Sequence, residues 1–399
     1  MKEYIVVGGG LAGLTAANAL TGGGRHKVTL LEQSNRLGGR GITQQDRGYL
    51  LNLGPHALHR NGVAARTLRG WGVPICGKPP DTSSASFLVR TGQMYPLVFT
   101  IRGLLTTRLF STSEKLQAVR VLKQLSGGPA SEGESIKEWI EQRARSTRIR
   151  EFVAMLIRVS TYSADLSVLS ARPALEQFRS ATTGGVLYLD GGWQTLIAGL
   201  EQRARQLGVE IRLGERVETL RAIKGDGIVL AVPPAAVERI TGRRLRTMHP
   251  VRVACLDLGL STLPRSAARV ALGVDQPLYL SVHSTVARLA PEGAAVVHAC
   301  KYLGGRADAA SDRAELEQFV DLAIPGWRGH AEVIRFLPEM TVTPAVFSLE
   351  GRPAVDELRI PGVALAGDWV AGEGMLVDAA VATGLRAADL IQRQRQSAA

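Results

Sequence analysis

The sequence predicts an α/β protein, α+β overall, divided into two domains, the first of which is built on a parallel sheet. In the first forty residues a β-branched strand, Tyr4–Val7, is followed by an Ala-rich helical stretch, Leu14–Leu20, and by a second strand, Lys27–Leu31. That order is typical of a parallel sheet with crossover helices. The length of 399 residues suits two domains. Hydrophobic and charged fractions of 45% and 21% are those of an ordinary globular chain.

Glycines at a fixed spacing join the first strand to the helix, and an acid ends the second strand. Gly8, Gly10 and Gly13 form a G-x-G-x-x-G motif, and Glu32 follows the third glycine by 19 residues. The first glycine allows a tight turn, the second lets the backbone approach a pyrophosphate, and the third lets the helix pack on the strand. The helix N-terminus offers N–H groups to phosphate, and Glu32 is placed to bind an adenosine ribose. The sequence therefore predicts a Rossmann-like dinucleotide-binding domain.

A second motif follows immediately and indicates which dinucleotide is bound. After Glu32 the chain continues through Gln33 to Gly38, Gly39 and Arg40, giving the pattern E-x(3)-R-x-G-G-R. This pattern resembles an element of the flavoprotein superfamily of amine oxidases, phytoene desaturases and protoporphyrinogen oxidases. The resemblance implies an FAD cofactor whose pyrophosphate and ribityl chain contact Arg40 and the Gly38–Gly39 backbone. A guanidinium suits this role because its paired donors match phosphate.

A hydrophobic strand that ends in Gly54-Pro55 resembles the family element whose backbone runs beside the isoalloxazine ring. His56 comes next. Histidine titrates near neutral pH, so His56 is the candidate catalytic acid or base. The alternative, which the sequence favours, is a loop histidine that is satisfied by local hydrogen bonds.

The C-terminal stretch resembles the same family. A strand ends in Gly367-Asp368, and Met375 and Leu376 precede a helix. The resemblance implies that Asp368 holds the ribityl hydroxyls and that the Met375–Leu376 backbone caps the pyrimidine end of the flavin, where a helix N-terminus stabilises negative charge. It also implies that the Val217 backbone meets the adenine. The predicted cofactor-binding residues are Gly8, Gly10, Leu11, Ala12, Gly13, Glu32, Gln33, Gly38, Gly39, Arg40, Gly54, Pro55, His56, Val217, Gly367, Asp368, Met375 and Leu376.

The resemblance spans nearly the whole chain and implies a discontinuous FAD-binding domain that carries an inserted substrate-binding domain of mixed sheet and helices. Strand-like runs at 251–258 and 295–302 predict the sheet of the inserted domain. The predicted FAD-binding domain comprises residues 1–80, 186–235 and 340–399, and the predicted substrate-binding domain comprises residues 81–185 and 236–339.

The positive charge of the chain does not indicate nucleic acid. Lysine and arginine number 48 against 36 acidic residues, for a net charge of +12. The arginines are scattered except for Arg143, Arg145, Arg148 and Arg150, which predict a solvated helix face rather than a membrane or partner contact. No nucleic-acid motif accompanies them, and the three cysteines lie far apart without metal-binding spacing. We therefore expect no nucleic-acid partner and no bound metal.

Several missing motifs narrow the chemistry. The sequence has no second G-x-G-x-x-G and no CxxC, which argues against a pyridine-nucleotide disulfide reductase. Residues 331–399 contain no Cys or His that could link a flavin covalently. We therefore expect non-covalent FAD that is reduced by the substrate itself.

The sequence favours a lipophilic or polycyclic small-molecule substrate over an amine. Amine oxidases of the superfamily often enclose the amine between aromatic rings and place a lysine near the flavin. Here aromatic residues make up only 5% of the chain, Trp369 has no tyrosine beside it, and only Lys301 lies in a plausible strand. We expect an FAD-dependent oxidoreductase that removes hydride from its substrate and passes electrons to O2 or a quinone-like acceptor. Amine oxidation, flavin-dependent isomerisation and flavin binding without turnover remain alternatives.

Two features bear on localisation. The N-terminal apolar run is too short for a signal peptide, and no stretch approaches the roughly 18 apolar residues of a membrane span, so a cytoplasmic protein is expected. Residues 87–125 combine apolar segments with basic flanks. This pattern is typical of a peripheral membrane contact or of a substrate-domain core, and the sequence favours the core.

Overall fold

The computed structural model describes residues 1–82, 85–98 and 101–394 of the chain. In this part of the chain one parallel and one mixed sheet dominate, each with its own hydrophobic core. The helices are α1 (Leu11–Leu20), α2 (Val63–Gly70), α3 (Ile101–Thr106), α4 (Thr112–Gly127), α5 (Ile136–Arg143), α6 (Thr147–Thr161), α7 (Ala171–Gly184), α8 (Gln194–Gln206), α9 (Pro234–Thr241), α10 (Ala309–Ala323) and α11 (Val377–Gln394). The strands are β1 (Glu3–Val7), β2 (Lys27–Glu32), β3 (Thr43–Asp46), β4 (Tyr49–Asn52), β5 (Leu58–His59), β6 (Gly77–Lys78), β7 (Ser86–Arg90), β8 (Gln93–Pro96), β9 (Val186–Leu189), β10 (Glu210–Leu213), β11 (Gly227–Leu230), β12 (Val251–Leu260), β13 (Val270–Gly273), β14 (Leu278–Val282), β15 (Ala295–Leu303), β16 (Ala331–Thr343) and β17 (Val363–Leu365).

The parallel sheet has five strands within the described residues, in the spatial order β10-β2-β1-β11-β17. Its central strands β1 and β11 are buried along almost their whole length, as strands that are covered on both faces are. Helix α1 follows β1 directly and packs against β1, β2, α8 and α11. This arrangement confirms the predicted α/β class with a Rossmann-like domain.

The mixed sheet has seven strands in the described part of the chain, in the order β16-β12-β15-β14-β13-β7-β8. Neighbouring strands are antiparallel except β7 and β13, which are parallel. Helix α10 covers the outer face. The opposite face, here called the inner face, lies toward the parallel sheet, because Gly54 and Tyr49 both approach β12 from that side. The inner-face residues paired across β12 and β15 are Val253 with Tyr302, Cys255 with Cys300, and Asp257 with His298.

A helical layer formed by α4, α5, α6 and α7 packs on the mixed sheet and encloses a third core around Trp139 and Phe152. Leu104, Leu109 and Phe110 are buried in this core, so these residues of the 87–125 segment belong to a domain core. A peripheral membrane contact stays a prediction. Across residues 1–82, 85–98 and 101–394, no helix is long and apolar enough to span a bilayer.

The arginine cluster is not the solvated helix face that the sequence predicts. Helix α5 ends at Arg143 and α6 begins at Thr147, so the four arginines straddle a junction between two helices. Arg143 pairs with Glu134 and Arg148 with Glu114, both at 3.0 Å. Local hydrogen bonding and partial burial, rather than solvation alone, explain these basic residues.

The predicted domain boundaries stay a prediction, and the structure places two elements across them. Strand β16 continues through the proposed boundary between residues 339 and 340. Helix α9 buries Val237 and Ile240 in the core of the parallel sheet, although most of this helix falls in the segment assigned to the substrate-binding domain.

Candidate cofactor and substrate site

A cavity of about 700 Å³ lies between the two sheets. It begins at the carboxyl ends of β1 and β2, the edge at which parallel α/β sheets bind ligands, and reaches the inner-face strands β12 and β16 through Val253 and Met340. Both halves of the molecule therefore contribute to one site.

The three glycines of the motif surround the start of α1 and have three different environments. Gly8 has φ +106°, and a Cβ there would lie 2.3 Å from the Ala231 carbonyl oxygen. A Cβ at Gly13 would lie 1.8 Å from the Gly8 carbonyl oxygen, so this glycine lets the helix pack on the strand. A Cβ at Gly10 would meet no described atom within 4 Å. Only the second glycine faces open space, as a cradle for a pyrophosphate requires.

Glu32 holds the loops around this cradle. Its Oε2 accepts a hydrogen bond from the Gly9 N–H at 2.6 Å, and its Oε1 accepts one from the Ser34 N–H at 2.8 Å. The residue also lines the cavity. A contact with a ribose stays a prediction, and the structure adds a scaffolding role for the same carboxylate.

Arg40 and Asp368 meet at the cavity wall as a bidentate ion pair. Arg40 Nη2 donates to Oδ1 at 2.5 Å and Nη1 donates to Oδ2 at 2.8 Å, while Nη1 also donates to the Val342 carbonyl. Although burial opposes the charged form, the Asp368 carboxylate raises the pKa of Arg40. The two side chains that are predicted to contact FAD therefore also bind each other.

His56 is partly buried, and its ring is neutral at neutral pH. Burial lowers its pKa to about 4, although the Gly54 carbonyl favours the protonated ring. Nδ1 lies 3.1 Å from the Gly54 oxygen and must donate to it, because a carbonyl only accepts. The ring also packs edge-on against Trp193, with 4.9 Å between ring centroids. The neutral ring could therefore act as a weak general base, but it could not act as a general acid.

The start of α11 forms part of the cavity wall. Leu376, with φ +54°, lines it together with Val377 and Ala380. In the first turn, Asp378 Oδ1 accepts a hydrogen bond from the Ala64 N–H of α2 at 2.8 Å. Burial raises the pKa of this carboxyl to about 6.

Most predicted cofactor residues line the cavity. Gly13, Gly54 and Met375 do not. Gly13 packs on Gly8, Gly54 on Cys255, and Met375 is buried in the helical core. The predicted residues that line the cavity are Gly8, Gly10, Leu11, Ala12, Glu32, Gln33, Gly38, Gly39, Arg40, Pro55, His56, Val217, Gly367, Asp368 and Leu376.

The inner face carries a buried polar network that the sequence reasoning missed. Asp257 accepts from His298 Nδ1 at 2.5 Å and from Arg335 Nη2 at 2.6 Å. The ring of His283 stacks on Tyr188, with 3.7 Å between centroids, and meets His298 edge-on at 4.7 Å. The one available signal was an acid inside an apolar run, since Asp257 interrupts the strand at 251–260.

The structure changes the aromatic argument but agrees with the lysine argument. Tyr162 lines the cavity and packs edge-on against Tyr302, with 6.0 Å between centroids, so two tyrosines do meet beside the site. Lys301 lies on the outer face of the mixed sheet and pairs with Asp312 and Glu315 of α10. It is therefore not a lysine near the flavin.

The cradle and the side chains around it define a dinucleotide-binding α/β protein whose second sheet supplies the opposite cavity wall. Within the described ranges, no group of three or more His, Cys, Asp or Glu residues is arranged to hold a metal ion.

Comparisons with known proteins identify the family. The chain matches the family model described as flavin containing amine oxidoreductase over residues 11–245, more than half of its length. It is 48% identical to an L-amino-acid oxidase from Naja atra over 77 residues, which are 18% of this chain and only 15% of that relative. The chain belongs to the flavin-containing amine oxidoreductase family, and its cofactor is FAD. The predicted resemblance is thereby confirmed.

Solved structures confirm the fold. An oxidoreductase from Methanosarcina mazei is similar with a TM-score of 0.77 at 17% identity, over 97% of this chain and 100% of that one. A double mutant of putrescine oxidase is similar with a TM-score of 0.72 at 16% identity, over 98% and 99% of the two chains. At these identities the likeness concerns the fold alone.

Proposed function

We propose that this protein oxidises a small organic substrate with an apolar body, by hydride transfer to non-covalently bound FAD. The observation that carries the proposal is the division of charge along the cavity. The charged lining residues lie at the ends of the parallel strands, in the cradle and on α9: Glu32, Glu215, Arg216, Asp368, Arg40 and Arg239. The lining residues of β12 and β16 are Val253, Met340, Thr341 and Val342, all uncharged.

The side chains next to Gly54-Pro55 shape the substrate end of the cavity. When bound, FAD supplies the hydride acceptor, so the protein has to orient a substrate C–H bond and exclude water. The Tyr162 hydroxyl donates to the Pro55 carbonyl at 3.0 Å, which fixes the ring beside the cavity. A catalytic role of His56 stays a hypothesis, and with a pKa of about 4 the ring could only accept a proton weakly.

Amine oxidation is the second candidate, and two observations favour it. The chain belongs to a family named for amines, and the Tyr162–Tyr302 pair provides the aromatic surface that the sequence alone does not reveal. An uncharged wall favours the neutral form of an amine over its ammonium form. We therefore expect amine turnover to increase with pH as the free amine loses its proton.

The test is anaerobic reduction of the bound flavin by a panel of compounds. The panel contains apolar cyclic amines, a diamine, L-amino acids, an isoprenoid and a porphyrinogen. Bleaching by isoprenoid or porphyrinogen supports the lipophilic proposal, and bleaching by amines alone supports the second candidate. A yellow protein that no compound bleaches would contradict both and leave flavin binding without turnover.

The electron acceptor is tested separately. We propose O2 or a quinone-like compound as the acceptor. Stopped-flow mixing of the reduced protein with each compound shows which one reoxidises the flavin.

The variant Met340→Asp tests where the substrate binds. It places a charge in the uncharged wall and should lower turnover of an apolar substrate without releasing FAD. Unchanged turnover in this variant would place the substrate elsewhere.

A further inference from the structure

Thr383, in the middle of α11, is fully buried and contacts the turn that carries Asp368. The N–H of Ala366, just after β17, still donates to the Leu230 carbonyl of β11, at 3.0 Å. The next N–H, that of Gly367, donates instead to Thr383 Oγ1, also at 3.0 Å. Gly367 and Asp368 both line the cavity. The Thr383 hydroxyl is therefore bonded directly to a residue of the cavity wall.

The same hydroxyl makes a bond within its own helix. A hydroxyl donates one hydrogen and can also accept, and its nearest acceptor is the Ala379 carbonyl, at 2.7 Å. A threonine inside a helix often bonds in this way to the residue four positions earlier. Here the oxygen also accepts from outside the helix. Thr383 thus joins the Gly367 turn to the first turns of α11, where Val377 and Ala380 line the cavity.

The next residue, Gly384, packs α11 on the helix of the pyrophosphate cradle. A Cβ at Gly384 would lie 2.6 Å from the Ala12 carbonyl oxygen and 3.0 Å from Thr15 Cβ, so α11 crosses α1 at close range here. Ala12 lines the cavity at the start of α1. Two successive residues of α11 therefore contact two separate parts of the FAD cavity: Gly384 contacts the cradle helix, and Thr383 contacts the Asp368 turn.

The bond from Gly367 to Thr383 is buried. A buried N–H that loses its acceptor is strongly disfavoured, so without the hydroxyl the Gly367 turn has to move toward another partner. Asp368 is the next residue and would move with it, away from its place opposite the cradle.

We propose that Thr383 is a positioning residue for FAD, whose hydroxyl sets the place of Asp368 relative to the cradle. This inference rests on the FAD cofactor of the family and not on the substrate. A chain that binds FAD but oxidises nothing would overturn the proposed function and leave this proposal intact.

The variant Thr383→Val tests the proposal because valine keeps the branched shape and removes the hydroxyl. Two quantities are measured on the full-length chain: the dissociation constant of FAD by fluorescence titration, and the unfolding temperature of the apo-protein after FAD removal. We expect FAD to bind about tenfold more weakly, because the Gly367 N–H loses its acceptor. Thr383→Ser keeps the hydroxyl and should bind FAD within about threefold of the wild type.

Thr182→Val is the matched control. The hydroxyl of Thr182 makes the same kind of helical bond in α7, to the Phe178 carbonyl at 3.0 Å, but the residue is exposed. This variant should leave FAD affinity unchanged. If Thr383→Val does not fold, Thr383→Ala takes its place with the same expected loss, because alanine also lacks the hydroxyl and leaves room beside the Gly367 N–H.

Unchanged FAD affinity in a folded Thr383→Val protein would overturn the proposal, whatever the unfolding temperature of its apo-form, because Thr383 would then contribute to folding only. A Thr383→Ser protein that binds FAD as weakly as Thr383→Val would overturn it too, since the methyl group rather than the hydroxyl would then matter.

Discussion

The cavity has two walls that are built in different ways. The wall at the carboxyl ends of β1 and β2 is mostly backbone, with glycine turns and the start of α1. The wall on the inner face is made of side chains from β12 and β16, such as Val253 and Met340, and these two strands meet through long-range pairing. A backbone wall tolerates little change and suits a constant ligand, whereas a side-chain wall can be rebuilt one residue at a time around different substrates.

The largest expected effect concerns the glycines of the backbone wall. In Gly13→Ala, the new Cβ lies 1.8 Å from the Gly8 carbonyl oxygen, so we expect a loss of roughly 4 kcal/mol of stability or no folded protein. In Gly10→Ala, the methyl group meets no described atom within 4 Å. That variant should fold within about 0.5 kcal/mol of the wild type and lose FAD affinity. Urea unfolding and FAD titration check both, and equal stability of the two variants would contradict the comparison.

The second prediction addresses the buried polar network on the inner face of the mixed sheet. Asp257→Ala leaves Arg335 and His298 without their shared carboxylate in a buried site. Removing one partner of a buried pair costs about 3–5 kcal/mol. The control, Glu201→Ala, breaks an exposed pair with Arg205 one helical turn away and should cost below about 0.5 kcal/mol. Chemical denaturation of both variants measures the loss in free energy of unfolding. Similar losses would mean that the Asp257 network contributes no more to stability than an exposed ion pair.

The third prediction concerns pH and the contact between α11 and α2. The folded pKa of Asp378, about 6, lies above the unfolded value of about 4. The stabilisation from its bound proton is complete below about pH 4 and is lost as the pH rises through about 6. Asp378→Asn cannot ionise and still accepts from the Ala64 N–H.

We therefore expect Asp378→Asn and the wild type to match near about pH 4, and the variant to be more stable by about 3 kcal/mol near about pH 8. His59, 3.7 Å away, adds little charge because burial lowers its pKa. Unfolding temperatures across this pH range provide the measurement. Parallel curves for the two proteins would show that Asp378 does not titrate in this window.

The smallest expected effect concerns Tyr162, whose ring lines the cavity. Tyr162→Phe removes the hydroxyl that donates to the Pro55 carbonyl, a contact worth about 1 kcal/mol. FAD affinity should stay unchanged while the Michaelis constant for the substrate increases, because the ring keeps its place less firmly. Steady-state kinetics and FAD titration together check this. A weakened FAD affinity would instead assign Tyr162 to the cofactor wall.

The backbone wall could be predicted from the sequence because its geometry is local. Gly8, Gly10 and Gly13 occupy one strand–helix turn, and Glu32 ends the next strand, so chain order alone places them together. The pairing of Arg40 with Asp368 could not be predicted, because the two residues are 328 positions apart and meet only in the folded chain.

The side-chain wall depends on register and parity, which the sequence does not reveal. Lys301 and Tyr302 are neighbours in the chain but lie on opposite faces of β15, because side chains alternate along a strand. Tyr302 therefore lies on the inner face and packs against Tyr162, while Lys301 lies on the outer face and pairs with Asp312 of α10. The same alternation hides Asp257, His298 and Arg335, which come from three strands and meet only in the folded sheet.

The Arg40–Asp368 contact joins positions 328 residues apart, and β17 and α11 complete the parallel-sheet domain from the same distant segment. During translation, the glycine turn leaves the ribosome long before the residues that face it across the cavity. Cofactor capture must therefore follow synthesis of the C-terminal segment.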